Sequence, residues 1–150
     1  MYAFVLTIHN IVRWLVLIAA LIAIGRAVWG WLGQKEWTKA DNMAGLLYTS
    51  TIDLNVLLGL LLYLFLSPLT QSAFADFGAA MRNADLRFFA VEHSVGMIVA
   101  VALVHIGRSF SKKATGAVKK HRTAAIWFIL SLLAILLAMP WQRPFLPGLG

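Results

Sequence analysis

The chain has 150 residues, 61% of them hydrophobic and 13% charged, with a formal net charge of +7 and no cysteine. A water-soluble domain of this length carries about 25% charge and about 45–50% apolar residues, so the composition argues against one. The lack of cysteine excludes disulfides, thiolate haem ligation, cysteine-held iron–sulfur clusters and covalent C-x-x-C-H haem attachment.

The apolar residues fall in four long blocks, roughly Phe4–Trp31, Met43–Leu66, Leu86–Arg108 and Thr123–Met139. Each is close to the ~20 residues that a helix needs to cross a bilayer at ~1.5 Å per residue. The predicted fold is all-α: an integral membrane four-helix bundle forming one domain over residues 1–150. The N-terminal block lacks a basic leader and is too long for a signal segment, so it is expected to be retained as the first span.

The first connector, Gly33 to Asn42, is short and suits a helical hairpin, with Thr38 or Asp41 as a cap for the second span. Trp29, Trp31 and Trp37 cluster where an interfacial belt is expected. Pro68 ends the second span. Between the second and third spans, Phe74, Phe77 and Met81 recur at helical spacing among Asp76, Arg82, Asn83 and Asp85. That pattern fits a short amphipathic surface helix or an ordinary loop. Lys112, Lys113, Lys119, Lys120 and Arg122 crowd the last connector, and Arg26, Lys35 and Lys39 lie around the first. With four crossings these two connectors share a side. Positive residues beside span ends mark the cytoplasmic side, which places both termini on the outer side, facing a periplasm or the cell exterior. The positive charge is thus a topology signal, with attraction to anionic lipid as a second role, and no nucleic-acid partner is expected. The tail, Trp141 to Pro147, holds too much proline to continue the fourth helix.

Ionisable groups inside hydrocarbon mark a site or a structural pair. Counting along the helices puts His9 on the first span and His93 on the third at one depth, roughly 9 Å below the outer boundary. Level histidines on two helices suit a haem standing between them, because haem iron takes imidazole nitrogens as axial ligands. The alternative is a pair bonded to each other or to backbone carbonyls. Gly96 and Ala100 give His93 a stripe of small residues where a flat macrocycle could approach, and Met97 lies among them. Arg87 is placed to meet a haem propionate. Arg13 lies one turn below His9, and Glu92 is placed to pair with Arg13 or to hold an imidazole N–H. His105 and His121 lie toward the cytoplasmic boundary, and His105 falls about 120° off the face of His93. Both read as interfacial histidines, with a second haem as the weaker alternative. Asp53 falls near mid-bilayer at the depth of Arg13. An Arg13–Asp53 pair is the simplest expectation; a proton relay, or a quinone pocket with Asn55, is the other.

The stretches His9-Asn10-Ile11-Val12-Arg13-Trp14, Arg87-Phe88-Phe89-Ala90-Val91-Glu92-His93 and His105-Ile106-Gly107-Arg108-Ser109, with Ser111-Lys112-Lys113-Ala114 and Pro140-Trp141, carry a resemblance. Together they resemble a group of short four-helix bacterial membrane proteins known as cytochrome b-like, over nearly the whole chain. The resemblance implies a non-covalent haem b, with His9 and His93 as iron ligands and His105 and His121 as lesser candidates. Some members have histidine where this chain has Asp53. If that position is a ligand there, this chain lacks a haem that they carry.

The expected function is therefore that of a small b-type cytochrome-like protein or subunit, moving electrons within the membrane to or from a quinone or another membrane redox subunit. The second expectation is a cofactor-free accessory subunit of a larger membrane complex, with homo-oligomers open to either. No nucleophile elbow, zinc motif or P-loop occurs, and no inverted repeat supports a carrier.

Overall fold

The computed structural model describes residues 1–141 and 143, and among these there is helix and no strand. The chain makes α1 (Tyr2–Leu32), α2 (Lys39–Leu61), three short helices α3 (Pro68–Ala75), α4 (Phe77–Ala80) and α5 (Ala84–Arg87), then α6 (His93–Lys113) and α7 (Ala117–Ala138). A π-helical turn, Leu62–Leu66, continues α2, and another, Phe88–Glu92, leads into α6. Four helical runs, 2–32, 39–66, 84–113 and 117–138, are long and apolar enough to span a membrane, each holding an 18-residue stretch of mean hydropathy 2.2, 1.7, 1.8 and 1.8 in turn. The chain is a multi-pass membrane protein in contact with lipid.

The helices begin and end where their residues dictate. Thr38 caps α2: its hydroxyl accepts from the Asp41 N–H at 3.4 Å, and Asp41 accepts from the Thr38 N–H at 2.8 Å. Both residues named as caps thus act in one capping box. Arg26 of α1 closes the hairpin onto the same carboxylate at 2.9 Å. Gly116 turns the chain into α7 with a φ of 85°, a conformation that side-chain-bearing residues avoid. The connector after α2 is neither a single surface helix nor a plain loop. Pro68 starts α3 at its first turn, and the Asp76 and Asn83 side chains cap α4 and α5. Phe74 and Phe77 are about half exposed there, while Ala73, Ala80 and Ala90 pack together. Of the expected proline-rich tail, Gln142 and residues 144–150 lie outside the described residues.

Around the bundle, α7 packs on α6 and α1, α1 packs on α2, and α2 and α6 close the ring along a looser seam. The interior is built largely from small residues: Ala19, Ala20, Ala23, Ala27, Ala44, Ala100, Ala124 and Ala125 are buried, while Leu15, Ile18, Leu21 and Leu57 face outward. In lipid there is no water to drive helices together, so close backbone approach over small residues supplies the packing. Gly107 lies on Trp127, and Gly96 lies on Ala138, tightening α6 against α7. The Tyr48 hydroxyl donates to Ser131 Oγ at 2.9 Å, and Ser131 donates to the Ala100 carbonyl at 2.8 Å. Tyr48→Phe removes one bond and leaves Ser131 satisfied, at a cost of about 1 kcal/mol. Ser131→Ala strands a buried hydroxyl and is expected to cost more, about 1–3 kcal/mol. Thermal denaturation of both variants in one detergent checks that order.

Candidate functional site

His9 on α1 and His93 at the start of α6 come together on the side of the bundle where α1 begins and α7 ends. Their ring centres are 6.4 Å apart and the ring planes stand at 81°. Each ring is anchored through the same atom. His9 Nδ1 lies 3.1 Å from the Asn55 carbonyl on α2, and His93 Nδ1 lies 2.8 Å from the Ala138 carbonyl on α7. A carbonyl oxygen only accepts, so Nδ1 carries the hydrogen in both rings. In the neutral ring Nε2 then bears the lone pair, and neither Nε2 has a hydrogen-bond partner among the described residues. The two histidines do not bond to each other.

The anchors come from identifiable features. Ala138 is the last residue of α7, where helical carbonyls have no partner within the helix. His93 takes one of them, and Trp141 Nε1 takes that of Leu136 at 2.8 Å. On the other side, Gly59 lets the His9 ring lie against α2; a methyl group there would sit 3.3 Å from His9 Cε1. The two π-helical turns flank the site and are tied together, the Tyr63 hydroxyl donating to the Ala90 carbonyl at 2.8 Å. Such turns are frequent beside functional sites because they offset the backbone ladder.

Both histidines line a cavity of about 800 Å³. Its wall combines apolar residues of the spans, such as Leu6, Val56 and Met97, with Leu69 and Phe77 from the short helices. The polar part of the lining includes Asn10, Asn55, Arg13 and Arg143. Arg13 is 7% exposed. Arg143 lies over the Phe89 ring, 5.1 Å from its centre. Asn55 Oδ1 is buried with no hydrogen-bond partner among the described residues.

Several expected contacts are replaced by others. Arg87 pairs with Glu92 at 2.8 Å, and both side chains are about half exposed, so Glu92 holds neither Arg13 nor an imidazole. Neither Arg87 nor Glu92 lines the cavity. Asp53 does not meet Arg13; it meets His105, Nε2 to Oδ1, at 2.8 Å. Gly96 and Ala100 serve helix packing rather than giving room beside His93, since Gly96 is covered by Ala138 and Ala100 is fully buried. Met97 does line the cavity. His121 is not an interfacial side chain: it is 1% exposed, its ring centre 4.8 Å from that of Trp37 and its ring seated on Gly30. His105 and His121 are both absent from the cavity wall. Arg143, in contrast, was not singled out from the sequence. The available signal was a basic residue beside Trp141 on the side where positive charge is scarce.

No family model matches the chain, and no match was found to a curated protein or to a solved structure.

Proposed function

We propose that the chain is a small b-type cytochrome-like protein of a bacterial inner membrane, with both termini on the periplasmic side. It holds one haem b non-covalently between His9 and His93. It moves electrons within the membrane to or from a quinone or another redox subunit. The observation that carries this reading is the pair of neighbouring imidazoles, each fixed through Nδ1–H and each keeping an Nε2 lone pair.

The residues present fit the group on four counts. Two imidazoles that shared one iron would have ring centres about 6 Å apart, at about 2 Å per metal–nitrogen bond and about 1 Å from nitrogen to ring centre. The rings here are 6.4 Å apart. The cavity volume lies inside the ~300–1,000 Å³ range of ligand pockets. Arg13 and Arg143 bring two guanidinium groups to the lining, the chemistry that suits the two carboxylates of haem b. Finally, among the described residues no three His, Cys, Asp or Glu side chains gather to cage an ion. A two-histidine site therefore suits a metal that brings its other ligands with it, as iron in a porphyrin does.

When bound, the haem supplies a reversible one-electron centre. The chain's own residues do the rest. The Asn55 and Ala138 carbonyls orient the rings and make their nitrogens better donors. The apolar wall excludes water. Lys35, Lys39, Lys112, Lys113, Lys119, Lys120 and Arg122 on the opposite side support the orientation given. The test is a dithionite-reduced minus oxidised spectrum of membranes carrying the overexpressed protein. A sharp b-type α-band that rises with expression is the expected result. Membranes rich in the folded protein with no added band would overturn the reading.

A further inference from the structure

Asp53 and His105 stand apart from the cavity and bridge α2 to α6 on the bundle's outward side. Asp53 lies at the middle of the helical run 39–66, and His105 lies one turn inside Arg108, at the cytoplasmic end of the third apolar block, by about 4.5 Å. Both are therefore within membrane-spanning helix. Yet their side chains are 42% and 48% exposed. Lipid-facing ionisable groups at such depth are costly, and those found in spans almost always face protein or water. The rest of the seam does not share the problem. Thr51 satisfies its hydroxyl on the Leu47 and Tyr48 carbonyls, and Arg108 Nη1 reaches Thr49 Oγ1 at 3.4 Å.

Two further observations bear on what covers this pair. The apolar windows of α2 and α6 are only 22% and 17% buried, against 39% for α1 and α7, so the seam lies between the two least covered spans. The pair also offers both halves of an interaction. Nε2 of His105 serves Asp53 Oδ1, which leaves Asp53 Oδ2 as an acceptor and His105 Nδ1 as a second nitrogen, each without a partner among the described residues. With the ring protonated, Nδ1–H is a donor.

We propose that the α2–α6 seam at Asp53 and His105 is an isologous interface between two copies of this chain. A two-fold axis along the membrane normal keeps both copies in one orientation in the bilayer and places like surface on like surface. His105 Nδ1–H of each copy then meets Asp53 Oδ2 of the other. The four side chains form one hydrogen-bonded cluster shielded from lipid. Leu57, Ala102 and Ile106, exposed around the pair, supply the apolar surround. Nothing in this interface depends on haem.

The chain has no cysteine, so a single introduced one reports on a single position. Ala102 is exposed one turn from His105. Ala102→Cys in native membranes, treated with a short bis-maleimide, is expected to give a covalent dimer. Leu21→Cys, exposed on α1, which packs on α2 and α7, is expected to stay monomeric. Adding Asp53→Asn to Ala102→Cys is expected to lower the dimer yield severalfold. A monomeric Ala102→Cys, equal cross-linking of both single variants, or a product with a different protein would each overturn the proposal. Native mass spectrometry of the unaltered protein gives a second reading that needs no variant: a dimer supports the interface, and a monomer released from lipid nanodiscs contradicts it.

Discussion

His93→Ala protein, purified from haem-replete cells, is expected to carry no haem and to show no α-band, and His9→Ala is expected to do the same. Each substitution removes one of the two Nε2 lone pairs and leaves a void in the cavity wall, while the four spans keep their apolar faces. Helix content by circular dichroism should therefore persist, which separates loss of a ligand from loss of the fold. In the unaltered oxidised protein the ring planes stand at 81°. Nearly perpendicular imidazoles would π-donate almost equally to the two iron dπ orbitals, leaving these nearly degenerate. Electron paramagnetic resonance should accordingly show a strongly anisotropic low-spin signal. Variants that retain full haem and an unchanged signal would show that iron is held elsewhere.

The second large effect is expected from a residue that touches no part of the cavity. A methyl group added at Gly96 lands on Ala138 Cβ, and Ala138 supplies the carbonyl that anchors His93. Gly96→Ala must move α7 away from α6 at that point, because the obstacle is a short side chain fixed to helical backbone and not the far end of a flexible one. Overpacking of this kind costs about 1–3 kcal/mol. Loss of an outer-sphere anchor on a metal-binding histidine typically costs about 10–100-fold in affinity. Gly96→Ala is thus expected to lower both thermal stability and haem affinity, the latter at least tenfold. Gly59→Ala is the matched comparison. Its methyl group sits 3.3 Å from His9 Cε1, a distance that a ring shift of a few tenths of an ångström relieves. A haemin titration should rank the affinities as unaltered, Gly59→Ala, then Gly96→Ala. Equal affinities would mean that the Ala138 anchor does not hold the His93 ring.

The spans were legible because hydropathy and helical rise both act along one chain. The same arithmetic put His9 and His93 at one depth, and their rings are neighbours. It also set His105 off the face of His93, and His105 does point away from the cavity wall. What it could not give was the partner across a helix interface. Asp53 and Arg13 share a depth, but contact also depends on how each helix is rotated and on which neighbour it packs against. Here α2 turns Asp53 toward α6, where His105 waits. Gly96 shows the same limit, since a small residue serves equally to admit a ligand or a neighbouring helix. The backbone anchors were invisible for another reason: any residue can supply a carbonyl. Only the end of α7, with its unpartnered carbonyls, marked where one was to be found. His121 misled because a run of basic neighbours, Lys119, Lys120 and Arg122, suggested a solvated face, whereas its own ring is turned inward under Trp37.

Haem content of the pure protein, taken as pyridine haemochrome against protein from quantitative amino-acid analysis, bears on the His9–His93 site without any variant. Haem b is expected at one per chain, released by acidified organic solvent because no covalent bond holds it. A folded protein from haem-replete cells that contains no haem, and takes up none from added haemin, would contradict that expectation.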